Sequence, residues 1–320
     1  MTQNSLTLAQ HKTEAVLLPG KRRPKPVLFK IQGTVVKTVK AVNYLGVVID
    51  ERLTFAHHFK MVTEKAGRTT GALSRLMPNI GGPSQGKRKI LSSVMQNILL
   101  YAAPIWAEAA QSKYNKTTLV RTQRKMALRI VCAYRTVSAE AALVLAGLMP
   151  IHILAQERMV LHKARGDDTT KETNREQSFK KWQSEWDNTP NASWTRRLIK
   201  DIKPWVTRRH GHLNYHTTQF LTEHGNFGVY TLRIGKTLHD LCRYCQAKDT
   251  AEHTAFRCCR WEKLRFELNL QLGEDITTEN IINKMTESNS NWSSINTYLT
   301  TILRKKEKDE RDARCTLLNP

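Results

Sequence analysis

Over the first 54 residues apolar and polar positions alternate in short runs. Glu14 to Leu18 stops at Pro19-Gly20, Val27 to Ile31 alternates as far as Gln32-Gly33, and Val35 to Ile49 is rich in β-branched residues around Gly46. A basic turn, Lys21 to Pro26, separates the first two runs. Such runs, punctuated by Gly and Pro, predict three or four short strands. From Ala56 to Arg165 the period lengthens to that of a helix. Phe59, Val62, Ala66, Leu73 and Leu76 fall on one face of a first helix ending at Met77-Pro78. Ser84 is placed to cap the next, whose buried face is predicted at Ile90, Val94, Ile98 and Tyr101.

Lys113 to Arg135 continues the helical pattern with seven basic residues and no acidic one. Val120, Ala127, Val131 and Tyr134 make its apolar face, while Arg121, Lys125 and Arg129 recur every four residues on another. Ala139 to Leu148 and Ile151 to Lys163 are two further helices broken at Pro150, which makes a bundle of about five. Gly166 to Pro190 is polar and charged and reads as a linker or an exposed helix. Beyond Trp194 short elements surround a cysteine cluster, and helical patterns from Thr277 to Met285 and from Trp292 to about Arg314 close the chain. The predicted fold class is α+β, mainly α. It comprises N-terminal β-hairpins (1–54), a helical bundle (55–166), a connector (167–212), a small metal-stabilised unit (213–265) and charged C-terminal helices (266–320).

Charge sharpens this picture. The 320 residues carry 51 Lys and Arg against 28 Asp and Glu, a net charge of +23, and no acidic block offsets it. That balance points to a polyanionic partner, either nucleic acid or an acidic membrane face. The longest apolar stretch, Ile98 to Trp106, is too short to span a bilayer and contains Pro104, so no transmembrane helix is expected. Met1-Thr-Gln-Asn-Ser lacks the layout of a signal peptide, so an intracellular protein is expected. No small-molecule substrate is evident.

Cys132 and Cys315 stand alone, whereas Cys242, Cys245, Cys258 and Cys259 cluster, and in a reducing compartment such a cluster suggests metal ligands. In Cys242-x2-Cys245-x7-His253-x4-Cys258 the first pair forms a tight knuckle holding one edge of a tetrahedral zinc ion. The later His and Cys supply the other edge. Four protein ligands leave no open position, so the expected zinc is structural. Cys259 competes as the fourth ligand, and free or redox-active thiols are the alternative. The neighbouring Tyr244, Phe256 and Trp261 either stack on unpaired bases or cover a small zinc core.

Several stretches carry a family resemblance. His11-Lys12-Thr13-Glu14-Ala15-Val16-Leu17-Leu18 resembles polymerase motif D, and Asn43-Tyr44-Leu45-Gly46-Val47-Val48-Ile49-Asp50 resembles motif E, the primer grip. Leu53-Thr54-Phe55-Ala56-His57-His58 and Tyr101-Ala102-Ala103-Pro104-Ile105-Trp106 resemble thumb signatures. His224-Gly225-Asn226-Phe227-Gly228-Val229-Tyr230 resembles a Gly-His-Gly-x-Phe-x-x-Tyr segment, with Glu223 in place of the first Gly. Cys242, Cys245, Asp249-Thr250-Ala251-Glu252-His253, Cys258 and Trp261 match a cysteine-histidine domain. In this order, over nearly the whole chain, they resemble the C-terminal part of non-long-terminal-repeat retrotransposon polyproteins, in the arthropod type-1, ribosomal-DNA-inserting reverse transcriptase family and its telomeric relatives.

The resemblance implies that residues 1–54 end a polymerase palm and that 55–166 form a thumb. It implies RNA and DNA partners (template, primer and target), a role in DNA integration and a nuclear location. Lys12 is then the motif D lysine that approaches the triphosphate leaving group, and Tyr44 and Gly46 touch primer. Arg121, Arg124, Lys125 and Arg129 track phosphates. The plainer readings are an exposed lysine, an ordinary strand with a close-approach glycine, and a solvated helix face. Polymerases of this family hold two Mg²⁺ on palm aspartates, in motif A and a Phe/Tyr-x-Asp-Asp hairpin. Both motifs would lie before residue 1, and Glu14 is the only acidic residue up to Ile49. Gly166-Asp167-Asp168 is read as a solvated turn. No catalytic residue is therefore assigned, Mg²⁺ belongs to the full-length polymerase, and the chain is expected to bind nucleic acid without polymerising. The alternatives are a truncated gene model of an active reverse transcriptase and a co-opted zinc-dependent interaction module.

Overall fold

Five short strands open the chain in the computed structural model, which describes residues 9, 12–18, 27–31, 33–164 and 168–318. They are β1 (Ala15–Val16), β2 (Leu28–Ile31), β3 (Thr34–Val39), β4 (Ala41–Tyr44) and β5 (Val47–Asp50). β2 and β3 form a hairpin with Phe29 opposite Val36, and β1 lies parallel on the other edge of β3. β4 and β5 form a separate hairpin whose two-residue turn, Leu45-Gly46, has φ of 49° and 81°. A turn with both φ positive matches the twist of the flanking strands, and glycine takes its second position without strain. The basic turn at 21–26 and residue 32 lie outside the described residues.

Asp50 converts sheet into bundle. Its carboxylate accepts the amides of Arg52, Thr54 and Phe55 at 3.1, 3.0 and 2.6 Å and the Thr54 hydroxyl at 3.1 Å. That holds the turn that leads from β5 into α1 (Ala56–Ser74). The bundle continues with α2 (Gln85–Leu99), α3 (Ala103–Trp106), α4 (Lys113–Ile130), α5 (Ala139–Ala146) and α6 (Ile151–Lys163). Then come α7 (Asp168–Asp187), α8 (Ser193–Leu198), α9 (Ile202–Thr207), α10 (Tyr215–Thr222) and α11 (Gly228–Arg233). α12 (Glu262–Leu272), α13 (Ile281–Glu287) and α14 (Asn289–Leu318) complete the chain. The fold is mainly helical α+β, as expected. Residues 166 and 167 of the Gly-Asp-Asp lie outside the described residues, and Asp168 opens α7.

One apolar core runs from β5 and α1 to α14, and all seven tryptophans are buried in it. Gln123 of α4 fixes the Pro150 break: its side chain donates to the Met149 carbonyl (2.8 Å) and accepts the Ile151 amide (3.1 Å). In α7 Trp182 and Trp186 are buried, and Trp186 Nε1 donates to the Ile199 carbonyl at 2.8 Å. Among the described residues no single helix is long and apolar enough to cross a membrane.

Three predicted faces need correction. Ile90, Val94 and Tyr101 are not buried; they are 72%, 48% and 53% exposed, and α2 instead buries Arg88, Ser92, Met95 and Leu99. The cause is Arg88, whose guanidinium donates to the carbonyls of Met77, Pro78, Pro83 and Arg129. Those loop and helix-end carbonyls have no other intrahelical donor, so the helix turns Arg88 inward and carries the Ile90 stripe outward. In α1, Phe59, Val62 and Ala66 are buried as expected, but Leu76 past the helix end is exposed and Met77 takes its place. In α4, Val120 and Tyr134 are only half-buried, with Leu119, Met126 and Ile130 inside.

Candidate metal centre and cationic helix face

Two tight backbone turns bring Cys242, Cys245, His253 and Cys258 together. Leu241 bridges antiparallel to Lys248, the Cys242 amide donates to the Ala247 carbonyl (2.7 Å), and the Gln246 amide donates to the Cys242 carbonyl (2.8 Å). Gln246 closes this knuckle in the left-handed region at φ 59°. His253 opens a single wide turn of π type, His253–Arg257, in which the Cys258 amide reaches back to the His253 carbonyl at 2.8 Å. The extra residue of a π turn swings Cys258 back beside the imidazole.

The four ligand atoms all lie within 4.8 Å of one another. Cys242 Sγ stands 3.8 Å from Cys258 Sγ, and Cys245 Sγ stands 3.1 Å from His253 Nε2. Burial raises the Cys242 thiol, pushes Cys258 up to about 12 and lowers the His253 imidazole. Backbone amides of Tyr244 and Cys245 aim at the Cys242 sulfur, and that of Arg260 at Cys258, which offsets part of the burial. Buried thiols and a neutral imidazole are a donor set that a cation would complete. The four residues can therefore hold one metal ion with no position left open. Cys259 is exposed and adjoins the Cys245 thiol, but its sulfur is not one of the four mutually close ligand atoms.

The surroundings brace the knuckle. Asp249 accepts the Gly228 amide (2.7 Å) and the Thr254 hydroxyl (3.0 Å), and it is ion-paired with buried Lys306. A Cβ on Gly228 would come within 2.7 Å of the Asp240 carbonyl oxygen, so only glycine permits this approach. Tyr298 donates to the Ala255 carbonyl (2.6 Å) and Tyr244 to Asp309 (2.7 Å), both tying the knuckle to α14. Trp261 is buried, Tyr244 meets it edge-on at 5.5 Å, and Phe256 meets Phe220 at 5.9 Å.

The residues picked for nucleic-acid contact do not form one cluster. Lys12 is exposed in a short turn, and Tyr44 is 64% exposed. Gly46 sits against the Tyr101 ring, 3.4 Å from where a Cβ would stand, and the Tyr101 hydroxyl donates to the Leu45 carbonyl at 2.8 Å. Arg121 and Lys125 are exposed on α4 and Arg129 is half-exposed; none is ion-paired with a described residue. Arg124 is engaged otherwise, donating to the Val137 carbonyl at 2.9 Å and to Arg135. Sequence reasoning missed Lys306, whose only signal is a place in a run of charge, Lys305-Lys306-Glu307-Lys308. It missed Arg88 for the same reason.

The chain is similar to several curated retrotransposon proteins. The 115 kDa protein in the type-1 retrotransposable element R1DM of Drosophila melanogaster is 26% identical over 305 residues, covering 86% of this chain and 29% of that protein. The retrovirus-related Pol polyprotein from type-1 retrotransposable element R1 2 of Nasonia vitripennis is 24% identical, covering 81% of this chain and 70% of the relative. A Drosophila melanogaster protein named for the RNA-directed DNA polymerase of transposon BS is 26% identical over 106 residues, 33% of this chain and 12% of the relative. The chain thus spans less than a third of its Drosophila R1 relative. No family model and no solved structure matches it.

Proposed function

The chain is related to the polyproteins of type-1 R1 retrotransposable elements, and on that premise we propose that it grips nucleic acid for an RNA-directed DNA polymerase. Residues 55–166 serve as the thumb, with the exposed face of α4 following the phosphate backbone of template and primer. One observation carries this reading: Arg121, Lys125 and Arg129 share a face of a helix with no acidic residue, and among the described residues no carboxylate pairs with them. Phosphate contacts need charge rather than a shaped pocket, so a row of unpaired cations suits them. Lys12, Tyr44 and Gly46 are assigned to the primer side.

The metal is assigned as zinc with a structural role. A tetrahedral zinc with sulfur ligands at about 2.3 Å places its sulfurs about 3.8 Å apart, the separation of Cys242 and Cys258. Two-metal polymerisation with Mg²⁺ is assigned to a part of the polyprotein other than these 320 residues. The only candidate cluster among the described residues offers soft sulfur and imidazole donors, whereas Mg²⁺ takes carboxylates.

Fluorescence anisotropy of labelled RNA and DNA strands at rising salt tests the central claim. Replacing Arg121, Lys125 and Arg129 together with Ala should flatten the log–log salt slope by about two to three units. An unchanged slope returns that face to solvent.

A further inference from the structure

A second concentration of positive charge lies where the first turns of α2 meet the loop after α9. Lys89 extends over Gly147, the left-handed C-cap of α5, where a Cβ would stand 3.4 Å from the ammonium nitrogen. Arg208 is clasped between two indoles, its guanidinium carbon 4.0 Å from the Trp205 ring centre and 4.7 Å from that of Trp292. The clamp fixes the plane of the guanidinium, and Nη1 also donates to the Trp205 carbonyl. Its Nε is buried and has no hydrogen-bond partner. Lys87 and Arg209, one on each segment, are exposed.

None of these four cations forms an ion pair with a described carboxylate. Burial pulls Arg208 down to about 10. Lys89 keeps a solvent-facing surface, yet packing around its ammonium and the positive charge of Arg208 lower it as well. Repelling cations, one of them desolvated, are an unfavourable arrangement that a bound anion relieves.

We infer that Lys89 and Arg208, flanked by Lys87 and Arg209, form a second phosphate-binding surface for a nucleic-acid backbone, separate from the face of α4. The choice of nucleic acid among polyanions rests on the function proposed above. It has a structural reason too. Arg88, between Lys87 and Lys89, donates to the Arg129 carbonyl at 2.8 Å, so the first turn of α2 abuts the end of α4. A strand followed along α4 past Arg129 arrives at this corner. Lys87, Lys89 and Arg209 are exposed, as contact with a through-running backbone requires.

The test is the salt dependence of anisotropy for a fluorescein-labelled RNA strand and the DNA strand of the same sequence. The variant K89A/R209A leaves the Trp–Arg–Trp clamp intact and should melt as the parent does. Its log–log slope should flatten by about one to two units, for two lost phosphate contacts. R208Q is the second variant and should flatten the slope by about one unit wherever it melts normally. If K89A/R209A keeps the parental slope while R121A/K125A/R129A flattens it, the inference is overturned and the α4 reading stands. The reverse pattern overturns the α4 reading and keeps this surface. A parent chain that binds neither strand overturns both.

Discussion

Lys306 of α14 places its ammonium 2.6 Å from each carboxylate oxygen of Asp249, with both side chains buried. The ammonium also donates to Thr254 (3.1 Å) and lies 5.1 Å from the centre of the Phe227 ring. This pair ties four parts of the chain to one point: α14, the π turn that His253 opens, the start of α11 and the Asp249 loop. Removing one member leaves the other charged in a low-dielectric interior, which costs about 3–5 kcal/mol. Lys306→Met should lower unfolding stability by that order, and adding Asp249→Asn should recover part of the loss. Urea unfolding followed by tryptophan fluorescence measures it; a loss below about 1 kcal/mol would mean the pair is not the brace described.

Metal content tests the knuckle. About one zinc per chain is expected after purification without chelators, and less than about 0.2 would reject the site. Cys245→Ser should release the metal and loosen the unit around residues 241–261, leaving α1 to α6 folded. Metal binding is worth on the order of 10 kcal/mol in small finger peptides, so the loss should show as local unfolding by hydrogen exchange. Cys259→Ser should retain the metal, because its exposed side chain stands outside the ligand set.

Acid sensitivity should trace partly to Glu185. Burial alone would raise its carboxyl, but the hydrogen bonds from His152 and Lys116 outweigh it and hold the group down at about 2. Burial lowers His152, while the Glu185 carboxylate raises it in return, and Lys116 reaches the same carboxylate at 2.7 Å. A depressed carboxyl stabilises the fold above its unfolded value, 4.5, and that stability is lost as pH falls from there toward about 2. The contribution is on the order of 2 kcal/mol, discounted for partial exposure. Glu185→Gln should flatten the stability profile between those limits; a parallel profile refutes the assignment.

The inverted face of α2 yields a paired test. Ile90→Ser should change stability by no more than about 0.5 kcal/mol, since Ile90 is 72% exposed. Leu99→Ala, at a fully buried position, should cost about 2–5 kcal/mol. Equal losses at both positions would restore the original orientation of the helix.

Local pattern decided a good deal of this molecule by itself. The β-branched runs before Asp50, the helix breaks at Pro78 and Pro150, and the Cys-x2-Cys-x7-His-x4-Cys spacing all act over a few residues. Strand, break and knuckle are there in the chain because backbone geometry and ligand reach set them. The ordered motifs likewise placed the chain among R1 relatives before any coordinates.

Orientation and partnership needed the tertiary structure. In α2 two apolar stripes, Ile90–Val94–Ile98 and Leu91–Met95–Leu99, have the same period, so periodicity cannot choose between them. The choice falls to Arg88, because four carbonyls from the 77–83 loop and the end of α4 converge where only a guanidinium can reach them all. Choosing Cys258 over Cys259, adjacent and chemically identical, depends on the π turn at His253. Lys306 and Arg208 look like ordinary surface charge in the sequence. Asp249, 57 residues away, and Trp292 across the fold make them a buried brace and a clamped cation. The sequence determined which elements form and which residues can bind a metal; long-range packing decided which way each side chain faces, since burial and charge pairing act between segments that the linear order keeps apart.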